Sequence, residues 1–135
     1  YICRRGSLIN SRYEVTSDDP VRETDGAVVV EAFDAETQAL VAIKLINRGS
    51  KFKTRAEQEL RIFETLGGVS EANDGHIITL LESFNWKGHK CLVFERLSYS
   101  LDHVVKSSLN KGIKLGIVRS IAKQLLPTLK LLEIA

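Results

Sequence analysis

The sequence predicts an α+β fold in which a small antiparallel sheet with one helix is followed by two further helices. Runs of β-branched residues dominate the chain up to Phe94 and surround one amphipathic helical segment, whereas helical periodicity takes over beyond Leu97. The chain has 135 residues, of which 44% are hydrophobic. That length suffices for one small domain with a hydrophobic core and is too short for two independent domains.

Five strands are predicted, because short segments rich in β-branched residues alternate with polar, turn-forming segments. The first three strands follow one another closely, with polar breaks at 17–20 and 34–38, which favours an antiparallel meander. The last two are joined by the turn-like Lys87-Gly88-His89. The predicted strands are 11–15, 27–30, 39–46, 76–84 and 90–94.

The clearest helix signal begins at Thr54, because Thr54 and Glu57 have the spacing of a capping box. One face of this helix then carries Glu59, Ile62, Phe63 and Leu66. The pair Gly67-Gly68 is expected to end it.

Two more helices are predicted at 101–106 and 117–132. The longer one has an apolar stripe of Val118, Ile121, Leu125, Leu129 and Leu132. Pro127 lies inside this helix and predicts a kink, because proline lacks the backbone N–H and its ring clashes with the preceding turn.

The composition argues against several classes of function. Since 19 Lys and Arg stand against 17 Asp and Glu, the net charge of +2 does not predict direct binding to nucleic acid. The apolar runs are far shorter than the roughly 20 residues that span a bilayer, so no membrane helix is expected. Cys3 and Cys91 are isolated, which predicts free thiols in a reducing compartment. The three histidines lack further ligands at metal spacing, so we interpret His76, His89 and His103 as surface or loop residues and predict no metal site.

Two charged residues interrupt otherwise apolar faces. Lys44 shares one face of the third strand with Ala42 and Ile46, and Glu59 lies on the apolar stripe of the first helix. Burying either charge alone costs several kcal/mol, whereas a Lys facing a Glu across a strand–helix contact keeps both ionised. The pattern therefore predicts a Lys44–Glu59 ion pair, with a solvent-exposed Lys and a Glu at a helix edge as the ordinary alternative.

The residues around Lys44 resemble a known family. Val41-Ala42-Ile43-Lys44 is the third-strand motif of protein kinases, V-A-I-K, and the Glu of the following helix is its usual partner. The segment 90–101, KCLVFERLSYSL, is similar to the fifth strand and hinge of the dual-specificity tyrosine-regulated kinase group. The pre-mRNA-processing (spliceosomal) kinases of that group are most similar at Arg12-Tyr13, Val118-Arg119-Ser120, Gln124-Leu125 and 129–132.

This resemblance implies an organisation for the whole chain. Residues 1–11 would be an N-terminal extension, 12–94 the kinase small lobe with a five-stranded antiparallel sheet and one helix, 95–100 the hinge, and 101–135 the start of a truncated large lobe. The H-x-D catalytic loop and the D-F-G segment of the family would follow Ala135. Because the chain also lacks methionine, we expect it to be a fragment that is inactive on its own.

The resemblance also implies roles for individual residues. Lys44 would contact the α- and β-phosphates of ATP, and Glu59 would hold Lys44 in place. Phe94 would be the gatekeeper, while the Glu95 carbonyl and the Leu97 amide would hydrogen-bond adenine. An adenine pocket would be lined by Val21, Val30 and Ala42. Ser100 would face the ribose or, equally, cap a turn; for the other residues the alternatives are ordinary core side chains and a plain strand-to-helix connection.

The implied function is that of a serine/threonine protein kinase, with dual specificity as an extension. The full-length form would transfer the γ-phosphoryl of ATP to protein hydroxyls with Mg²⁺, whose ligands would lie outside this chain. The implied partners are ATP and protein substrates, splicing factors among them, without direct contact to nucleic acid or membrane. A nuclear location follows from the subgroup alone, with the cytoplasm as the alternative.

The phosphate loop departs from the family pattern. Where G-x-G-x-x-G belongs, the chain has Arg22-Glu23-Thr24-Asp25-Gly26-Ala27, so only Gly26 remains. The missing glycines let backbone amides approach phosphates, and Glu23 and Asp25 place negative charge near them. A pseudokinase or non-catalytic protein-interaction module is therefore the alternative function, and an unrelated α+β domain with a chance V-A-I-K is a third.

Overall fold

The computed structural model describes residues 3–70, 76–109 and 111–134. Within them an antiparallel sheet is followed by two helices, with one long helix inserted between strands, so the predicted α+β class is confirmed. The elements are β1 (Leu8–Ile9), β2 (Tyr13–Val15), β3 (Arg22–Thr24), β4 (Ala27–Asp34), β5 (Ala39–Ile46), α1 (Ser50–Ser70), β6 (Leu80–Trp86), β7 (His89–Glu95), α2 (Leu101–Ser107) and α3 (Leu115–Ile134).

The sheet has the strand order β1-β2-β4-β5-β7-β6, and β3 also pairs with β4. Since β5 pairs with β4 along its whole length, β2 and β3 share the other edge of β4. They act as one strand interrupted at 16–21, so β2 to β7 fill the five strand positions that the sequence predicts. The sequence did not predict β1 or β3, which are only two and three residues long.

The two faces of the sheet pack in different ways. On one face Val41, Ile43 and Leu45 of β5 belong to a buried cluster. On the other face Ile46 packs with Ala56 of α1 and with Phe94 of β7, in a second cluster that also includes Phe52, Leu60 and Phe63. The predicted alternation along β5 is therefore confirmed. Because α1 covers this second face only in part, the cleft forms on this face.

The segment before β2, which the sequence interpretation treats as an extension, is part of the packed sheet. Cys3 and Ile9 are buried in the first cluster, and β1 pairs with β2. Cys3 and Cys91 are both free thiols, as predicted. Burial raises the pKa of Cys91 to about 12 and also raises the pKa of Cys3, so both stay protonated at neutral pH.

An ionic network centred on Arg12 joins strands that lie far apart in the strand order of the sheet. The Arg12 guanidinium donates to both carboxylate oxygens of Asp34, at 2.7 and 2.8 Å. It also approaches Glu36 at 2.8 Å and Glu82 at 3.2 Å, and the Tyr13 hydroxyl donates to Glu82. The hydrogen bonds from Arg12 hold the pKa of Asp34 well below its usual range. This network ties the start of β2 to the β4–β5 turn and to β6.

The bounds of α1 differ from the prediction at both ends. The helix begins at Ser50, so Thr54 lies in its second turn and donates its hydroxyl to the Ser50 carbonyl instead of capping the helix. It also continues through Gly67-Gly68 to Ser70. The prediction of a capping box and of a glycine stop is therefore wrong. Glycine tolerates helical dihedral angles as well as turns, so a Gly pair weakens a helix without necessarily ending it.

The predicted helices after the sheet are present as α2 and α3, and α3 includes Pro127. Leu125, Leu129 and Leu132 of the predicted apolar stripe are 41–59% exposed. No helix of the described ranges is both long and apolar enough to cross a membrane. The interpretation of His89 as a surface or loop residue is wrong, because His89 is buried in β7 and its Nδ1 lies 2.9 Å from the Ile46 carbonyl oxygen.

We predict that Asp34→Asn lowers the free energy of unfolding by about 2 kcal/mol at pH 7, because it removes charge-assisted hydrogen bonds to Arg12. The pKa of Asp34 is lowered in the folded state, so its contribution is present above its unfolded pKa of about 3.9 and is lost as the pH falls through the folded value. Urea denaturation should therefore show a difference between the two proteins that shrinks below about pH 4.

The matched control is Asp19→Asn, at an exposed position. Asp19→Asn should have the same free energy of unfolding as the unaltered chain at pH 7 and at pH 3. A difference between Asp34→Asn and the unaltered chain that stays constant from pH 7 to pH 3 would contradict the account.

Candidate functional site

Lys44 and Glu59 meet across the contact between β5 and α1. The Lys44 ammonium donates to Oε1 of Glu59 at 2.7 Å and to Oε2 at 2.8 Å. Their side chains are 29% and 32% exposed, so the pair lines an open cleft rather than the core. The structure thus contains the ion pair that the sequence predicts. At this exposure its net contribution to stability is on the order of 1 kcal/mol, too little to explain two charges on an apolar face by stability alone.

Apolar contacts between α1 and the sheet place Lys44 and Glu59 opposite each other. Ala56 is 1% exposed and seats α1 on the sheet, with Phe52 and Phe63 packed on the same cluster. Glu59 lies one turn beyond Ala56, so it faces the sheet at the height of Lys44. The position of the carboxylate therefore follows from the packing of α1.

Two cavities adjoin at Lys44. One, of about 330 Å³, extends from Lys44 along β5 to the segment 95–98. The other, of about 320 Å³, lies between the β3–β4 hairpin and α1 and includes both Lys44 and Glu59. The Lys44 ammonium group thus lies between two cavities. One is a slot that ends at the segment 95–98, and the other is the space beneath the β3–β4 hairpin.

The first cavity is largely apolar. Predicted site residues Val21, Ala42 and Phe94 line it, with Glu95 and Leu97 at its end. Phe94 is 7% exposed and contacts the Phe63 ring edge-on, with 5.0 Å between centroids. Val21 is 65% exposed and so covers the rim rather than the floor.

The backbone at the end of this slot is free to bind a planar polar group. The Leu97 amide donates to no acceptor among the described residues. The Glu95 carboxylate, by contrast, accepts the Thr79 amide at 2.9 Å, and the Glu95 amide donates to the Thr79 carbonyl at 3.3 Å. These bonds fix Glu95 while the next residues stay open toward the cavity.

The prediction that Val30 lines this pocket is wrong, because Val30 lies on the opposite face of the sheet. Its partner on β5 is Ile43, and both are buried in the first cluster. Val29, which pairs with Lys44, lines the cavity instead. In a run of three valines the sequence does not show which one faces the cleft; only the register with β5 decides it, since directly paired residues share a face.

Ser100 does not line either cavity. Its hydroxyl accepts the His103 amide at 3.1 Å and caps the N-terminus of α2. Of the two roles that the sequence left open, the structure therefore shows the capping one.

An ion pair that the sequence did not predict closes one side of the mouth. Arg96 donates to Glu31 of β4 at 2.8 Å, and the Thr16 hydroxyl donates to the same carboxylate at 2.8 Å. These bonds hold the pKa of Glu31 below its usual range. Both Glu31 and Arg96 line the first cavity. Charged residues 65 positions apart give no local signal of such a contact.

The β3–β4 hairpin lies against α1. A Cβ on Gly26 would approach the Phe52 ring to 3.1 Å, so this glycine permits close packing of the hairpin on the helix. Asn47 donates its side-chain amide to the Asp25 carbonyl at 2.9 Å and its backbone amide to the Gly26 carbonyl at 2.8 Å. Arg55 lines the cavity beneath the hairpin and was not predicted. Its cationic group adds to that of Lys44 in this space.

The residues present fit the nucleotide of a nucleotide–metal complex better than they fit its metal ion. An apolar slot with an open backbone amide fits a purine, and Lys44 with Arg55 fits phosphates. Over the described ranges, however, no three His, Cys, Asp or Glu side chains come together as metal ligands. We therefore assign no residue to Mg²⁺.

Comparison with known proteins shows similarity to protein kinases. No protein-family model matches the chain. It is 36% identical over 105 residues to the dual specificity tyrosine-phosphorylation-regulated kinase mbk-2 of Caenorhabditis elegans and, equally, of Caenorhabditis briggsae, covering 78% of this chain and 13% of each relative. It is 39% identical over 106 residues to the serine/threonine-protein kinase ppk15 of Schizosaccharomyces pombe, covering 78% of this chain and 20% of that protein.

The chain thus spans a small part of the curated relatives it matches. The fold agrees with these matches, because a curled antiparallel sheet with one long helix followed by further helices is the arrangement of a kinase small lobe and the elements after it. By sequence and by fold, this chain is a homologue of the protein kinases.

Proposed function

We propose that the chain is the ATP-binding part of a serine/threonine or dual-specificity protein kinase. The observation that supports this most is the Lys44–Glu59 pair, placed where an apolar slot adjoins a cationic space. ATP, when bound, would supply the γ-phosphoryl group that the full-length protein transfers to hydroxyls of its substrates. What the chain itself contributes is binding and orientation.

The geometry suggests how each part of the cleft would act. The adenine ring would lie between the apolar side chains of Val29 and Ala42, with its polar edge toward the Leu97 amide. An ammonium group has three N–H donors, and two of those of Lys44 point to Glu59. The third remains for a phosphate oxygen, so Glu59 would fix the direction in which Lys44 donates.

The assignment to a subgroup of the protein kinases rests on sequence resemblance. The segment 90–101 favours the dual-specificity tyrosine-regulated kinase group. Within that group, Arg12-Tyr13 and Val118-Arg119-Ser120 favour the pre-mRNA-processing kinases, which would give splicing factors as substrates and a nuclear location. Activity, substrates and partners of the complete protein are part of this proposal, since the chain spans 13–20% of its relatives.

A non-catalytic interaction module is the second candidate, and the β3–β4 hairpin favours it. The tip has one glycine, is bonded to Asn47, and bears Asp25 above the space that phosphates would occupy. Few backbone amides can then approach a phosphate closely, and the carboxylate opposes it. In this case the cleft would keep its shape without binding nucleotide.

Nucleotide binding is tested by thermal unfolding with and without ATP. A ligand present at 100 times its Kd stabilises the native state by about 2.7 kcal/mol, so the midpoint should rise by several degrees. Lys44→Met should weaken ATP binding at least tenfold, because it removes the cation between the cavities. The control Lys114→Met changes the same charge at an exposed site outside the cleft and should bind like the unaltered chain. An unaltered chain without any shift at millimolar ATP would favour the second candidate.

The positioning role of Glu59 is tested by a double-mutant cycle. Glu59→Gln keeps the size of the side chain but removes the charge that holds Lys44, and we expect three- to tenfold weaker ATP binding. In the Lys44→Met background the same change should have almost no effect, since Glu59 acts through Lys44. Equal losses in both backgrounds, measured by calorimetry, would show that Glu59 contacts the nucleotide by itself or that its effect is on folding.

We also predict that the purified 135 residues transfer no phosphoryl group, because their sequence contains neither H-x-D nor D-F-G. The measurement is transfer from radiolabelled ATP to a generic protein substrate. Transfer by the unaltered chain that disappears in Lys44→Met would refute this prediction.

A further inference from the structure

A third cavity lies away from Lys44, between the start of α1, the end of β5 and the β6–β7 hairpin. Its volume is about 580 Å³, within the range of small-ligand sites and larger than a lone inorganic anion needs. The cationic lining side chains come from three separate parts of the chain: Arg48 after β5, Lys53 on α1 and Lys90 on β7. We call this cavity the basic groove.

The cations of the basic groove are not neutralised by the protein. Lys53 and Lys90 form no ion pair within the described ranges. Arg48 donates one guanidinium N–H to the Lys87 carbonyl, and its remaining donors make no bond to the described residues. Glu57 is the one carboxylate among the lining residues, so the lining has an excess of positive charge.

The surrounding charges increase this excess. The first turn of α1 contains no acidic residue, and Lys51 and Lys53 lie at this end of the helix, where the helix dipole disfavours cations. Lys87 lies on the adjacent hairpin with its ammonium over the Trp86 ring, at 4.7 Å from the centroid. The clustering lowers the stability of the free chain, and a bound anion would offset that loss.

The arrangement fits a phosphoryl group better than a carboxylate or a nucleic acid. Three cationic side chains from three elements can each contact one of the three oxygens of a phosphoryl dianion, whereas a carboxylate offers two. The groove has room for neighbouring peptide atoms as well. A nucleic-acid backbone would need a longer basic stripe, while here the net charge of the chain is only +2 and Glu57 lies in the lining.

We propose that the basic groove docks a phosphorylated peptide segment of a partner protein. This inference goes beyond nucleotide binding and does not depend on it, because Arg48, Lys53 and Lys90 line neither cavity at Lys44. The phosphoryl group lies between these three cations, and the peptide on either side fills the rest of the groove.

Fluorescence anisotropy tests the proposal with the complete 135-residue chain. The probes are labelled ten-residue peptides of Gly, Ala and Ser that differ only in a central phosphoserine, serine or glutamate, and a ten-nucleotide oligouridine. We expect the phosphoserine peptide to bind at least tenfold more tightly than either other peptide. The double variant Lys53→Ala/Lys90→Ala should lose at least tenfold, and the control Lys114→Ala/Lys123→Ala, which removes the same charge elsewhere, should lose less than twofold.

Glu57→Gln provides an independent readout that does not rely on loss of binding. It removes the one carboxylate of the lining, so the phosphoserine peptide should bind about two- to fivefold more tightly. The proposal is overturned if phosphoserine and serine peptides bind alike, or if the control double variant loses as much as the groove variant. It is also overturned if oligouridine binds as tightly as the phosphoserine peptide and displaces it, since the surface would then select polyanions in general.

Discussion

The packing of α1 on the face of β5 that carries Lys44 is the constraint on which the architecture of the cleft depends. β5 is a central strand, paired with β4 on one side and β7 on the other, so the sheet fixes the backbone position of Lys44. α1 is held on this face by Ala56 and by its aromatic neighbours in the second cluster. The two charges are therefore brought together by packing that is largely independent of them. A functional ion pair needs this, because the geometry of the pair then persists even though the pair contributes little to stability.

The sequence predicted the parts of the fold and site that follow from local periodicity, and missed those that depend on register or on distant partners. Lys44 and Glu59 were found because each interrupts an apolar face. The sequence does not distinguish Val30 from Val29 as the residue that faces the cleft, because a run of valines shows no alternation. The pairing of β4 with β5 decides which face each of them occupies. The contact between Arg96 and Glu31 joins residues far apart in the chain and was invisible. Thr54 has a capping-box spacing that the earlier start of α1 overrides.

The β3–β4 hairpin, which lies over the cleft, has fewer glycines than a typical phosphate-binding loop. Its position is nevertheless fixed by packing and by hydrogen bonds. Gly26 packs on Phe52, and Asn47 holds the hairpin tip through two hydrogen bonds. With a single glycine, the β3–β4 hairpin lacks the close backbone approach to a ligand that several glycines would provide. Lys44 and Arg55 are the cationic groups that line the cavity beneath it. Binding in this cleft would thus rely on side-chain cations and on the apolar slot more than on backbone amides.

The most direct measurement of nucleotide recognition is an amide ¹H–¹⁵N NMR titration of the chain with adenosine, which isolates the apolar slot from the phosphate contacts. We expect saturable shifts at Leu97, Ala42 and Val29 on the cleft face, with Val30 and Ile43 on the opposite face changing least. Saturable shifts centred on the opposite face of the sheet, or no shifts at millimolar adenosine, would contradict the assignment of this cleft as an adenine site.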